Sequence, residues 1–266
     1  MDIAFVIILG ALWGSFANVC IFRLPGEKGV VSGRSYCPKC ENKIAWYDNI
    51  PIISFFLLRG KCRSCKTSIS IQYAIVEAIN IISFVTIYYF FGISITTILL
   101  MILSLSFLII FFIDLKHFII PNVLTFPMMF VGFIKSFDPN LHSLFPNYLN
   151  SLIGGLLGYG IIWAIITFYN SVSKLNRRYG FFKNIFRQKE GMGLGDAKLV
   201  AVVGFWFGWI SIPFVLFFSS VIALLWVVPD LIKKSKKLTS QIPFGPYIIL
   251  GLILFIVSKQ KLLILL

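Results

Sequence analysis

Apolar residues in this chain come in long unbroken runs, not in the alternating or three-and-four spacing of half-buried elements. Runs of about 20 such residues, shorter where proline or glycine interrupts, are what a helix needs to cross a hydrocarbon core of about 30 Å. They fall near 3–22, 71–91, 95–113, 118–134, 148–169, 197–210, 213–230 and 243–258. Read as one helix, 197–230 would extend roughly 50 Å, too far for a single span. Trp209-Ile210-Ser211-Ile212-Pro213 offers a turn, so two short spans are expected there. The pattern predicts an all-α polytopic membrane protein with about eight transmembrane helices.

Composition agrees with this reading. With 58% hydrophobic residues and 13% charged ones in 266 residues, a water-soluble fold would leave too much apolar surface in water. Charge then sets the orientation, because Lys and Arg near span ends stay in the cytoplasm. Basic residues cluster in 23–66, at Lys116, in 174–198 and in 233–237, which together hold twenty-one of the twenty-four. Only Lys135, Lys259 and Lys261 fall on the other side, so both termini are expected outside and the long loops in the cytoplasm. The net charge of +14 is then a topology signal with some attraction to anionic lipid, and no nucleic-acid partner is expected. Met1–Cys20 starts with the acidic Asp2 and has no basic n-region or small-residue cleavage site, so the first span is expected to stay.

The one sizeable loop, 23–70, carries Cys37-Pro38-Lys39-Cys40 and Cys62-Arg63-Ser64-Cys65. Two C-x-x-C pairs separated by twenty-one residues have the spacing that wraps one tetrahedral zinc ion. A loop of this size lacks the apolar residues for its own core, so metal binding would supply its folding free energy. Disulfides are disfavoured on a reducing cytoplasmic side. Four thiolates from Cys37, Cys40, Cys62 and Cys65 leave no open position, so the zinc is expected to be structural. Cys20, inside the first apolar run, reads as a small packing residue.

Few acids lie near membrane depth: Glu77, Asp114, Asp196 and Asp230. Glu77 and Asp230 read as interfacial anchors, or Glu77 as a buried partner for a loop arginine. Asp114 closes one apolar run and is followed at once by another, which holds its carboxylate at the membrane boundary. Asp196 follows the alternating glycines of Gly191–Gly195, which can bring backbone close to another segment, and it could also N-cap the next helix. Both aspartates land on the cytoplasmic face by topology. A carboxylate pair sharing one proton activates water, so peptide hydrolysis is the first expectation. Proton- or cation-coupled transport by intramembrane aspartates is the alternative. A serine–histidine scheme is left only His117, because His142 falls outside.

An ordered set of short motifs runs nearly end to end: Gly14-Ser15-Phe16, Asn18-Val19, Arg23-Leu24-Pro25, Arg34-Ser35, Trp46-Tyr47-Asp48-Asn49-Ile50-Pro51, and Leu58-Arg59-Gly60-Lys61 before the second cysteine pair. Ile69-Ser70, Tyr73, Glu77, Asp114 with Ile120-Pro121-Asn122, Gly191–Asp196 with Lys198, and Pro243-Phe244-Gly245-Pro246 complete it. In this set the chain resembles the type IV prepilin peptidases, bifunctional leader peptidases and N-methyltransferases. The resemblance implies a membrane aspartic endopeptidase of the G-x-G-D kind, cutting basic leaders from prepilins and pseudopilins just after a glycine. Asp114 and Asp196 match the two catalytic aspartates, with Gly193, Gly195, Lys198, Pro121, Asn122, Pro243 and Gly245 as supporting residues.

It also implies methylation of the new N-terminal amine with S-adenosylmethionine, associated with the four-cysteine region, and no residue of 23–70 reads as the methyl-donor pocket. The implied organisation is a first transmembrane helix at 1–22, a cytoplasmic zinc-binding region at 23–70 and a peptidase core at 71–266. The setting is the bacterial inner membrane, with the active site facing the cytoplasm.

Overall fold

The computed structural model describes residues 2–26, 29–30, 35–37, 39–138, 140–179, 193–232 and 242–265, the side chains of 174–179, 230–232 and 260–265 excepted. Glu27, Arg34, Glu190, Gly191 and Met192, and the side chain of Asp230, lie outside these described residues. Nine α-helices occur among them: α1 Ile3–Arg23, α2 Ile53–Leu57, α3 Gln72–Phe91, α4 Ile95–His117, α5 Asn122–Ile134, α6 Tyr148–Tyr179, α7 Leu194–Phe207, α8 Ser211–Ile232 and α9 Gly245–Leu265. Five of the helices are long and apolar enough to cross a membrane: α1, α3, α4, α6 and α8. α5 and α9 contribute shorter apolar helices. The protein is therefore a multi-pass, all-α membrane protein, with a cysteine cluster after its first helix. It divides into two compact units, Met1–Phe112 and Ile113–Leu266.

In the first unit α1 packs on α3 through small residues. A Cβ on Gly10 would come 2.9 Å from Ile81 Cα, and one on Gly14 would come 2.8 Å from Glu77 Cα, so only glycine lets the two backbones approach this closely. Polar side chains bind across the seam: Asn80 Nδ2 donates to Gly10 O at 2.7 Å and Asn18 Nδ2 to Tyr73 O at 3.0 Å. Buried in apolar surroundings, such bonds fix helix register.

The second unit is built around α7, whose residues Ala197 to Gly204 are nearly all buried. Its 14 residues span about 21 Å, short for a lipid-facing helix but sufficient for one enclosed by others. Its closest neighbour is α6. Gly154 and Gly204 meet backbone to backbone, and a Cβ on Gly158 would lie 2.7 Å from Val200 O. Ser151 Oγ donates to Phe205 O at 2.7 Å, and Trp206 Nε1 to Met128 O at 2.8 Å, tying α7 to α6 and α5. The expected break near 210 is present. α7 ends at Phe207, Gly208 takes φ +82°, and α8 starts at Ser211. Pro213 is not in the turn but in the first turn of α8, where a missing N–H costs no helical bond.

Gly158→Leu should wedge α6 from α7. Overpacking of this kind costs about 1–3 kcal/mol or more, and a lower melting temperature of the purified protein in detergent checks it.

Candidate active site and metal centre

α4 carries Asp114 into its last turn, and only four residues separate the helix from α5. Phe118 there has φ +58°, a left-handed conformation unfavourable for a bulky residue, and its N–H donates to Asp114 O at 2.9 Å. Pro121 is extended, and its carbonyl accepts the N–H groups of Leu124 and Thr125 at 3.2 Å, which starts α5. The carboxylate of Asp114, 4% exposed, is thereby held at the junction of two apolar helices.

Two other helix starts come to the same place. Gly193 is the N-cap of α7, so Asp196 is the third residue of that helix and not its cap. Its Oδ2 reaches back to the Gly193 N–H at 3.3 Å. Gly245 opens α9, and its N–H donates to Asp114 Oδ2 at 2.9 Å. A Cβ on Gly245 would stand 2.7 Å from that oxygen and 3.4 Å from Ile120 Cδ1, while one on Gly195 would stand 3.1 Å from Ile120 Cβ. Ile120 is thus the shared spacer between the starts of α7 and α9. The Asp114 and Asp196 carboxyls are near enough to interact electrostatically. Asp196 is 8% exposed, so the pair faces the bundle interior, where intramembrane acids are usually functional.

The other residues expected at the site fall around this pair. Lys198 Nζ donates to Asn122 Oδ1 at 2.7 Å, joining the first turn of α5 to α7. Pro243 precedes Phe244, whose carbonyl accepts the N–H groups of Tyr247 and Ile248 at 3.1 Å and so caps α9. Each oxygen fixed by a backbone N–H leaves the other oxygen of its carboxyl for water or substrate. Buried carboxyls joined to helix N-termini can hold, give and take protons without reorganising.

The four cysteines converge in the first unit. The Sγ atoms of Cys37, Cys40, Cys62 and Cys65 all lie within 4.8 Å of one another. Cys37 Sγ and Cys65 Sγ are 3.8 Å apart. A tetrahedron with metal–sulfur bonds of about 2.3 Å has edges of about 3.8 Å, so the donor set fits a four-coordinate metal. The two knuckles are built alike. Cys37 N–H donates to Asn42 O at 3.0 Å and Cys62 N–H to Thr67 O at 2.8 Å, and the residue after each second cysteine, Glu41 or Lys66, has positive φ. The Thr67 hydroxyl, 3.2 Å from Cys65 Sγ, lowers that thiol, while burial and the neighbouring sulfurs push Cys40 up, so without an ion the four are not all held as thiolates.

Contacts not legible in the sequence hold this region together. Arg63, inside the second knuckle, makes a two-pronged pair with Asp48 at 2.7 Å for each bond and lies 5.5 Å over the Tyr47 ring. Its guanidinium holds the Asp48 carboxyl below the usual range. Glu77, 7% exposed in α3, pairs with no arginine among the described residues; its Oε2 accepts the N–H of Ile52 at 2.7 Å. Ile52 has φ +60°, so Glu77 clamps a strained turn of the loop against the helix. A lone glutamate in an apolar run signalled a partner, but a backbone N–H leaves no mark in a sequence.

Models of two protein families match the chain. The Bacterial Peptidase A24 N-terminal domain covers residues 8–91, and the Type IV leader peptidase family covers 101–228. Among curated proteins, the prepilin leader peptidase/N-methyltransferase of Vibrio cholerae is 33% identical over 261 residues, 94% of each chain. Its namesake in Stutzerimonas stutzeri is 34% identical over 92% of this chain and 88% of its own. That of Pseudomonas aeruginosa is 30% identical over 91% and 85%. No solved structure matches. With motifs, membrane helices and full-length similarity in agreement, the chain belongs to the type IV prepilin leader peptidase family.

Proposed function

We propose that this chain removes the leader peptide of prepilin-like proteins at the cytoplasmic face of the bacterial inner membrane, with Asp114 and Asp196 as its catalytic pair. The observation that carries this reading is the packing of Gly195 and Gly245 on Ile120, which brings the start of α7 and the start of α9 to the last turn of α4. One ionised aspartate takes a proton from water while its protonated partner donates to the oxygen of the scissile carbonyl, and the roles exchange as the intermediate collapses. A membrane-boundary site suits a substrate with a wet basic leader and an apolar helix beyond the cut. Transport would want acids midway along spans; Asp114 and Asp196 stand at helix ends.

The five long helices and the shorter α5, α7 and α9 are all read as crossing the bilayer, α7 inside the bundle and the others in contact with lipid. The functional division is then a first span at 1–22, a cytoplasmic region at 23–70 holding structural zinc on Cys37, Cys40, Cys62 and Cys65, and a peptidase core at 71–266. Methyl transfer from S-adenosylmethionine to the new N-terminus rests on the relatives' names and on the presence of 23–70, not on a donor pocket. Lys198, Asn122, Pro121, Gly193, Gly195, Pro243 and Gly245 position the pair.

Co-expression with a substrate carrying a short basic leader that ends in glycine, followed by an apolar helix, tests the reading by mobility shift. Processed substrate is expected, and substrate that stays full-length would contradict it. Gly245→Ala sharpens the test, because its methyl group must displace the Asp114 carboxylate. A misplacement of about 1 Å can cost about a hundredfold in rate, so leader removal should fall by that order while the protein stays folded.

A further inference from the structure

α7 and α9 start beside the aspartates and finish at the opposite end of the second unit, where a cavity of about 600 Å³ opens. Five aromatic side chains, Phe145, Phe207, Trp209, Phe214 and Phe255, stand in its wall. Lys259, Asn147 and Asn150 supply polar groups. Lys259 Nζ donates to Leu144 O at 3.0 Å. Behind Phe145 lies Lys135, only 6% exposed, its Nζ 3.8 Å from the Phe145 ring centroid and donating to Trp206 O at 3.1 Å. The two ammonium groups act on each other electrostatically.

Each of these hydrogen bonds uses one of the three donors an ammonium carries. Lys135 also meets the carbonyl end of α7, which accounts for part of its burial. Neither contact supplies a countercharge, and neither lysine pairs with a carboxylate among the described residues. The cavity also borders the N-terminal ends of α6, at Asn147 and Asn150, and of α8, at Trp209 and Ile210, whose positive potential the carbonyl end of α7 at Phe207 and Gly208 partly offsets. A buried amine in apolar surroundings gives up its proton unless a countercharge holds it, so an anion in this cavity would keep the neighbouring Lys135 and Lys259 charged. Aromatic walls at the end of membrane helices suit an anion that carries an apolar chain.

We propose that this cavity binds the headgroup of an anionic phospholipid, its phosphate on Lys259 with Lys135 as the second charge, and the start of an acyl chain along the aromatic wall. A free phosphate would satisfy the lysines but leave that wall unused. The site is separate from the aspartate pair and does not depend on the peptidase reading.

Thermal melts of the purified protein in neutral detergent test it, with phosphatidylglycerol, phosphatidylcholine or inorganic phosphate added. Phosphatidylglycerol is expected to raise the melting temperature and phosphatidylcholine is not. Lys259→Gln should bind phosphatidylglycerol about tenfold more weakly, the loss of one charge-assisted contact. Native mass spectrometry of the unmutated protein gives a readout independent of that variant and should show one phosphatidylglycerol retained in preference to phosphatidylcholine. Equal response to the two lipids, or an undiminished response in Lys259→Gln, would overturn the proposal. A shift produced in full by inorganic phosphate alone would also overturn it, assigning the cavity to the free ion.

Discussion

Cys37→Ser is expected to abolish metal binding and methyl transfer while leader cleavage persists. Cys37 is the most buried of the four ligand candidates, and its backbone is bonded into the first knuckle from both directions, through Asn42 and Glu41. The loop it organises has little apolar core. Trp46, Ile53, Phe56 and Leu57 are all exposed, so on the proposed zinc reading folding would rely on the metal together with the Asp48–Arg63 and Glu77–Ile52 contacts. Structural zinc in small domains contributes apparent free energies of about 10–16 kcal/mol, and removing one thiolate forfeits much of that. The aspartate pair lies in the other compact unit, with its own helix-to-helix packing. Metal analysis of purified protein, with methylation and cleavage followed separately, checks the expectation. About one zinc per chain should fall to near none in the variant. Wild-type protein without metal, or equal loss of both activities, would contradict it.

The helices were legible because a bilayer fixes the length of an apolar run, and all eight expected runs correspond to helices. Their ends were less legible, for identifiable reasons. α4 continues past 113 to His117, so Asp114 sits within the helix. α6 continues to Tyr179, because a helix leaving the apolar layer need not stop where its apolar run does. α7 starts at Leu194, since Gly193 caps it and glycines before a helix read as loop. The cysteine cluster was legible from spacing alone. The meeting of Ile120 with Gly195 and Gly245 was not, because it depends on close packing between segments far apart in the chain. Lys135 and Lys259 illustrate another limit: counting charges assigns a side of the membrane and says nothing of depth, so the burial of Lys135 had no signal.

The largest effect is expected at the aspartates. Asn keeps the size of Asp and can still accept the Gly245 or Gly193 N–H, but it neither takes a proton from water nor gives one to a carbonyl. General acid–base catalysis contributes about 10²–10⁴-fold per group, and groups acting as a unit lose nearly everything when either is removed. Asp114→Asn and Asp196→Asn should therefore each reduce leader removal by at least about a thousandfold, with melting temperature and membrane insertion unchanged. The double substitution should be no worse than either single one, because nothing remains for the second to remove. The decisive measurement is the rate of leader release from a prepilin-like substrate by purified protein in lipid nanodiscs, compared for the wild type, the two single variants and the double variant. The paired-aspartate account predicts background rates in all three variants. A folded single variant that cleaves at the wild-type rate would contradict it.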